Sequence, residues 1–184
     1  MAKIEVNTID TISGSTNLTI GSTNSSTVTF ENGSCTGHMY PAFKATGTTQ
    51  TNIATNTATK LQFDTEVFDT DNCYDATTNY RFTPTVAGKY LITATIQIND
   101  DSDTDVIYQI QGSINKNGTA VETTLLRLSA DNSTFFNVIQ LFNVTSLQEA
   151  NGSTDYFEVY AKFQGSSSVV DFQGMSFQAF RIGS

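Results

Sequence analysis

The stretch KYLITATIQIN, residues 89–99, leaves this chain few choices of fold. Tyr90, Ile92, Ala94, Ile96 and Ile98 alternate with Leu91, Thr93, Thr95, Gln97 and Asn99. A period of two over this length is the pattern of a strand with one face in a core. VIYQIQGSI (106–114) repeats the device with Val106, Tyr108, Ile110 and Ile114, and Asn117-Gly118 supplies a hairpin turn after it. DYFEVYAKF (155–163) sets Phe157, Val159, Ala161 and Phe163 against Tyr156, Glu158, Tyr160 and Lys162, and MSFQAFRI (175–182) reads as a closing strand. No segment carries helical spacing. The chain is rich in Thr, Ser, Asn and Gly, and has only two prolines, Pro41 and Pro84. β-branched and aromatic residues suit pleated, half-buried surfaces, and Asn and Gly suit the turns between them. The pattern predicts an all-β protein, a sandwich or jelly roll.

FFNVIQLFNV (135–144) is apolar on both faces, with Phe136, Val138, Phe142 and Val144 on one and Phe135, Ile139 and Leu141 on the other. A strand of that kind needs a second covering layer, either a packed sheet or a neighbouring subunit. The first 38 residues have a different texture. Ile4, Val6, Ile9, Ile12, Leu18, Ile20, Val28 and Phe30 are spread through Ser, Thr, Asn and Gly. Such a segment cannot offset its ordering entropy by burial within one chain. Two domains are therefore expected: residues 1–38 as an extended attachment and trimerisation segment, and residues 39–184 as the head.

Charge narrows the function. A net charge of −9 with no cluster of Lys or Arg excludes a phosphate backbone and an anionic lipid surface as partners. No apolar run approaches the roughly 20 residues that span a bilayer, and MAKIEVNTID has no signal-peptide core. A soluble chain made in a cytoplasm is the expectation. Catalysis needs a nucleophile, a base and an orienting group. The single histidine, His38, sits at the junction of the two regions, so nothing can activate Cys73. Cys35 and Cys73 read as idle thiols, with a mutual pair as the alternative. No enzyme is expected. Two acidic runs carry oxygen ligands at alternating spacing: Asp101, Asp103 and Asp105, and Asp69, Asp71 and Asp75. The first run reads as a solvated turn, with a calcium site as the alternative. No other cofactor is expected.

KLQFDTEVFDTDNCYDATTNYRFTPTVAGKYLI (60–92) resembles the central signature of the C1q/TNF-like jelly-roll family. The matching residues are Phe63 and Asp64; Asn72, Tyr74 and Asp75; Tyr80, Phe82, Thr83 and Pro84; and Val86, Gly88 and Tyr90. Lys116, Asn117 and Gly118 resemble its hairpin, and Phe177, Phe180 and Ile182 its closing strand. The usual Gly-Asp before the penultimate strand is replaced by STDYFEV, and Gln178-Ala179 stand where a Gly is usual. The resemblance implies a homotrimer with one sheet of each protomer facing a threefold axis. Phe136, Val138 and Phe142 would then lie at the trimer interface, and Ile4, Val6, Ile9 and Ile12 would pack in a shared N-terminal core. It also implies calcium-holding loops near the trimer apex. The opening segment is similar to the N-terminal segments of phage and marine-virus fibre proteins. That second resemblance implies a virion structural protein, assembled in the host cytoplasm, with other tail or capsid proteins as partners and a head that contacts a host receptor or glycan. A capsid-bound decoration protein and a secreted C1q/TNF-like ligand or lectin are the alternatives.

Overall fold

The computed structural model describes residues 41–99, 106–127 and 139–183, all within the unit Met39–Ser184. Ile4, Val6, Ile9, Ile12, Asp101, Asp103, Asp105, Phe136 and Val138 lie outside the described residues. Every described element is a strand: β1 (Ala42–Gly47), β2 (Gln50–Ala54), β3 (Thr59–Lys60), β4 (Thr65–Asp69), β5 (Tyr74–Asp75), β6 (Arg81–Phe82), β7 (Ala87–Asn99), β8 (Ile107–Lys116), β9 (Thr119–Arg127), β10 (Ile139–Asn151), β11 (Phe157–Gly165) and β12 (Val169–Gly183). They form two six-stranded antiparallel sheets. The first runs β10-β7-β12-β1-β4, with β2 also on β12; the second runs β5-β6-β11-β8-β9, with β3 also on β11.

Strand alternation places the core. In β7, Tyr90, Ile92, Ala94, Ile96 and Ile98 are all fully buried, as the period of two predicts. In β11, Phe157, Val159, Ala161 and Phe163 turn inward from the second sheet. Between the sheets lies an aromatic cluster. Phe43 stacks on Tyr74 and on Phe82, each with ring centroids 4.6 Å apart, and meets Phe177 edge-on at 4.9 Å. Phe82 in turn meets Tyr90 at 5.4 Å. The tyrosine hydroxyls reach backbone oxygens at the core's rim: Tyr74 donates to Phe63 O and Tyr90 to Val86 O. Each ring can therefore be buried without leaving an orphaned donor.

β8 departs from the alternation read in the sequence. Ile107 is buried and Tyr108 is 47% exposed, because the β11 ladder shifts register there, pairing Gln164 with Gln109 and Gly165 with Ile107. Tyr108 is the extra residue of a bulge, which moves the inward position back by one. Further along β8, Gly112 leaves room for the ring of Phe142; a Cβ on Gly112 would lie 2.5 Å from Phe142 Cε2. The turn to β9 has Asn117 at φ 52° and Gly118 at φ 81°, two positive values that fit the tight hairpin expected at Asn-Gly.

Gly152, at φ 72°, takes the chain round a corner where a Cβ would collide with the backbone of Val86 and Ala87. Gly152→Ala is expected to cost about 2 kcal/mol or more, from both backbone strain and the collision. Urea denaturation of the purified variant measures it.

Candidate interaction face

The outward side of the first sheet is built from cross-strand rows. Leu147 pairs with Leu91, Leu91 with Phe180, and Phe180 with Ala42. This row is apolar across the four strands β10, β7, β12 and β1, and Leu147 is 56% and Phe180 48% exposed. Ile182 continues the patch, also 48% exposed. The next row is Thr145, Thr93, Gln178, Lys44 and Phe68. The one after is Asn143, Thr95, Ser176, Thr46 and Thr65. Side chains bond along these rows: Thr93 Oγ1 lies 3.4 Å from Thr145 Oγ1, and Thr95 Oγ1 donates to Asn143 Oδ1 at 2.7 Å. Among the residues of these three rows Lys44 is the single charge and there is no carboxylate, although the chain carries 18 acidic residues.

The apolar row results from strand parity. Phe142 and Val144 of β10 point inward, at 6% and 0% exposure, so Leu141 and Leu147 point out at 59% and 56%. The sequence resemblance puts Phe142 at an interface between copies. The structure places it instead in the core of its own chain, against Gly112 and beside Ile96 of β7. The residues that the double apolar pattern offers to a partner are the outward ones, which sequence reasoning does not single out. A signal for them exists: Leu141 stands on the opposite parity from Phe142, and Phe180 on the opposite parity from Phe177.

The aspartates of the FDTDNCYD run face their own turns. Asp69 accepts from the backbone N–H groups of Asp71, Cys73 and Tyr74. Asp75 accepts from Thr77, Thr78 and Asn79, and Asp71 accepts from the Thr85 hydroxyl. These bonds cap a tight loop that includes Asn72 at φ 50° and Tyr80 at φ 47°. No group of three or more potential metal ligands gathers among the described residues. The Cys73 thiol donates to Asp69 Oδ1 at 3.1 Å. Burial, reinforced by that carboxylate, pushes its pKa far above the ordinary thiol value. Cys73 is thus held as the thiol, the reverse of an activated nucleophile.

No family model and no curated protein matches the sequence. Among solved structures the chain is similar to murine APRIL, with a TM-score of 0.55 and 8% identity over 78% of this chain and 99% of that one. It is also similar to Eiger TNF from S. frugiperda, with a TM-score of 0.54 and 7% identity over 79% of this chain and 94% of that one. The fold is a TNF-like jelly roll. At these identities the likeness carries the architecture, as the sequence resemblance implies, and nothing finer.

Carboxylates that cap turns make stability depend on acid. Backbone N–H groups of Thr78 and Thr77 hold the Asp75 carboxyl far below its ordinary value, the Thr48 hydroxyl lowers Asp64, and the Asn117 amide lowers Asp155. A group whose pKa is depressed by folding contributes fully above its unfolded value, near 4, and loses that contribution as the pH falls through its folded value. The melting temperature is expected to show no loss from these groups between neutrality and about pH 5, and to fall below about pH 4. Asp75→Asn is expected to weaken that fall. Thermal melts across pH, followed by circular dichroism, test both.

Proposed function

We propose that this chain is a non-enzymatic structural protein that works as a homotrimer, its copies meeting through the outward face of the first sheet. The observation that carries the reading is the Leu147-Leu91-Phe180-Ala42 row, apolar and solvent-facing in a lone chain. Removing Leu147, Phe180 and Ile182 from water contributes on the order of 1 kcal/mol per half-exposed side chain. The neighbouring hydroxyl and amide rows can exchange hydrogen bonds with water for bonds to a second copy at little net cost.

The polarity of the face fits a head on a stalk. Ala42, at the start of β1, belongs to the apolar row, so copies joined there hold their residues 41 close to one another. We extend the proposal to residues 1–38 of each copy. Sparse Ile and Val that cannot form a core singly could form one in common. In this reading that segment attaches the protein to a virion, as in the fibre proteins its sequence resembles, and the head projects toward the host surface. Murine APRIL and Eiger TNF lend the reading a fold and no more, since the chain shares only 8% and 7% of its residues with them.

Leu147→Asp and Phe180→Asp are each expected to convert the assembly to single chains, because a carboxylate buried without a partner costs several kcal/mol. Light scattering coupled to size exclusion gives the mass, and far-UV circular dichroism checks that the sandwich survives. A wild-type protein with the mass of one chain overturns the proposal. A shortened protein starting at residue 39 separates the roles: the head alone is expected to remain assembled but to lose incorporation into particles.

A further inference from the structure

A second feature lies away from the outward face of the first sheet. A cleft of about 580 Å³ opens where the two sheets present their free edges side by side. Glu66 of the edge strand β4 lines one part, and residues 72–77 with Arg81, Thr83 and Thr85, around β5 and β6, line the rest. The register shift between Lys44 and Ala45 sets Glu66 opposite the inward-facing Ala45, which turns its carboxylate to the cleft side of the strand. Arg81 is braced: its guanidinium carbon lies 4.4 Å from the centroid of the Tyr156 ring. Stacking of this kind fixes the donor fork and reduces the entropy lost on binding.

The charged groups of this cleft are in two conditions. Asp75 is saturated by the backbone and side chains of Thr77, Thr78 and Asn79, Asp69 is turned to its own loop, and Asp71 accepts from the Thr85 hydroxyl. The side chains of Arg81 and Glu66, by contrast, make no hydrogen bond or ion pair with another described residue, and they do not pair with each other. A guanidinium fork and a carboxylate thus line one cavity with their hydrogen-bonding capacity unused.

We infer that this cleft binds a neutral saccharide. The occupant must accept from Arg81 and donate to Glu66, and a vicinal pair of hydroxyls does both. Two carboxylates, Glu66 and Asp75, and one guanidinium line the cleft; that balance disfavours an anion, while a simple cation brings no acceptor for Arg81. The remaining lining mixes Thr and Asn with Cys73, Tyr74 and Ala76, a surface suited to a ligand that carries both hydroxyls and C–H faces. The site is complete within one chain, so it stands or falls separately from association through the first sheet.

The full-length protein, applied to an array of neutral oligosaccharides ending in glucose, galactose, mannose or N-acetylglucosamine, is expected to retain at least one of them. Calorimetry with that sugar is expected to show Arg81→Ala and Glu66→Gln each weakening binding by about tenfold or more, the loss of a hydrogen bond to a charged group. Lys162→Ala, on β11 and outside the cleft, is expected to leave it unchanged. Retention of acidic glycans only, retention of none, or binding that survives both cleft substitutions would each overturn the assignment. Light scattering on the same samples reports the oligomeric state, so a failure here is distinguishable from a failure of the association face.

Discussion

The stacking of Phe43 between the sheets is the contact on which the rest depends. Phe43 comes from β1 of the first sheet, while Tyr74 and Phe82 come from the short edge strands of the second. β5 and β6 contain two residues each, too few to hold a sheet edge by their ladder bonds alone. Their rings tie them to the first sheet, and the Asp69 and Asp75 carboxylates tie down the loops that flank them. Aromatic pairs add about 0.5–1.5 kcal/mol each beyond the area they bury. The cluster therefore fixes the edge of the sandwich where the cleft opens, and with it the positions of Arg81 and Glu66.

Strand parity then transmits that constraint outward. Once Phe43, Phe177, Ala94 and Val144 face the core, Phe180, Leu91 and Leu147 have no choice but to face water. A solvated outer face is ordinary for an antiparallel sheet. An apolar row that crosses four strands is a different matter, because single exposed apolar residues are common and aligned ones are not. The second sheet shows the contrast. Its β11 faces outward with Glu158, Tyr160 and Lys162, and Lys60 pairs with Glu158 there. The two outer faces of one sandwich have been given different chemistry by residues that alternate with equally apolar inner ones.

Much of this is legible in the sequence, for a physical reason. The inward sets of β7 and β11, the Asn117-Gly118 turn and the burial of Phe63, Phe82 and Tyr90 follow from local rules that tertiary structure does not override. A sandwich or jelly roll follows from the many short strands, and the resemblance carried by residues 60–92 implies the jelly roll. The errors fall where a non-local partner decides. Alternation alone puts Tyr108 in the core, because the bulge opposite Gln164 and Gly165 leaves no mark on β8 itself. Phe142 reads as an interface residue because a doubly apolar strand does not say which of its faces the chain's own second sheet will cover. The space above Gly112 settles that, and a missing side chain on another strand has no periodicity to read. The aspartates of residues 69–75 resemble cation ligands by their spacing. Spacing alone does not distinguish a cation from a backbone N–H, and here the nearest donors are the loop's own amides.

Charge placement joins the two surfaces. A chain with a net charge of −9 repels its own copies, and the repulsion is strongest where carboxylates would be desolvated between them. The three rows that start at Leu147, Thr145 and Asn143 carry hydroxyls, amides, hydrocarbon and the one ammonium of Lys44, with Glu149 facing Lys89 on the row beyond, while Asp64, Asp69, Asp75 and Asp155 lie at turns, where backbone N–H groups satisfy them. A carboxylate that caps a turn serves stability without occupying a face. Glu66 is an exception among the cleft residues, since it sits on an edge strand and caps nothing. If copies meet through the carboxylate-free rows, the acidic turns are displaced to the periphery, where mutual repulsion is screened by solvent within about 10 Å at moderate ionic strength. Among the described residues, this placement favours approach through the carboxylate-free rows over approach through the acidic turns.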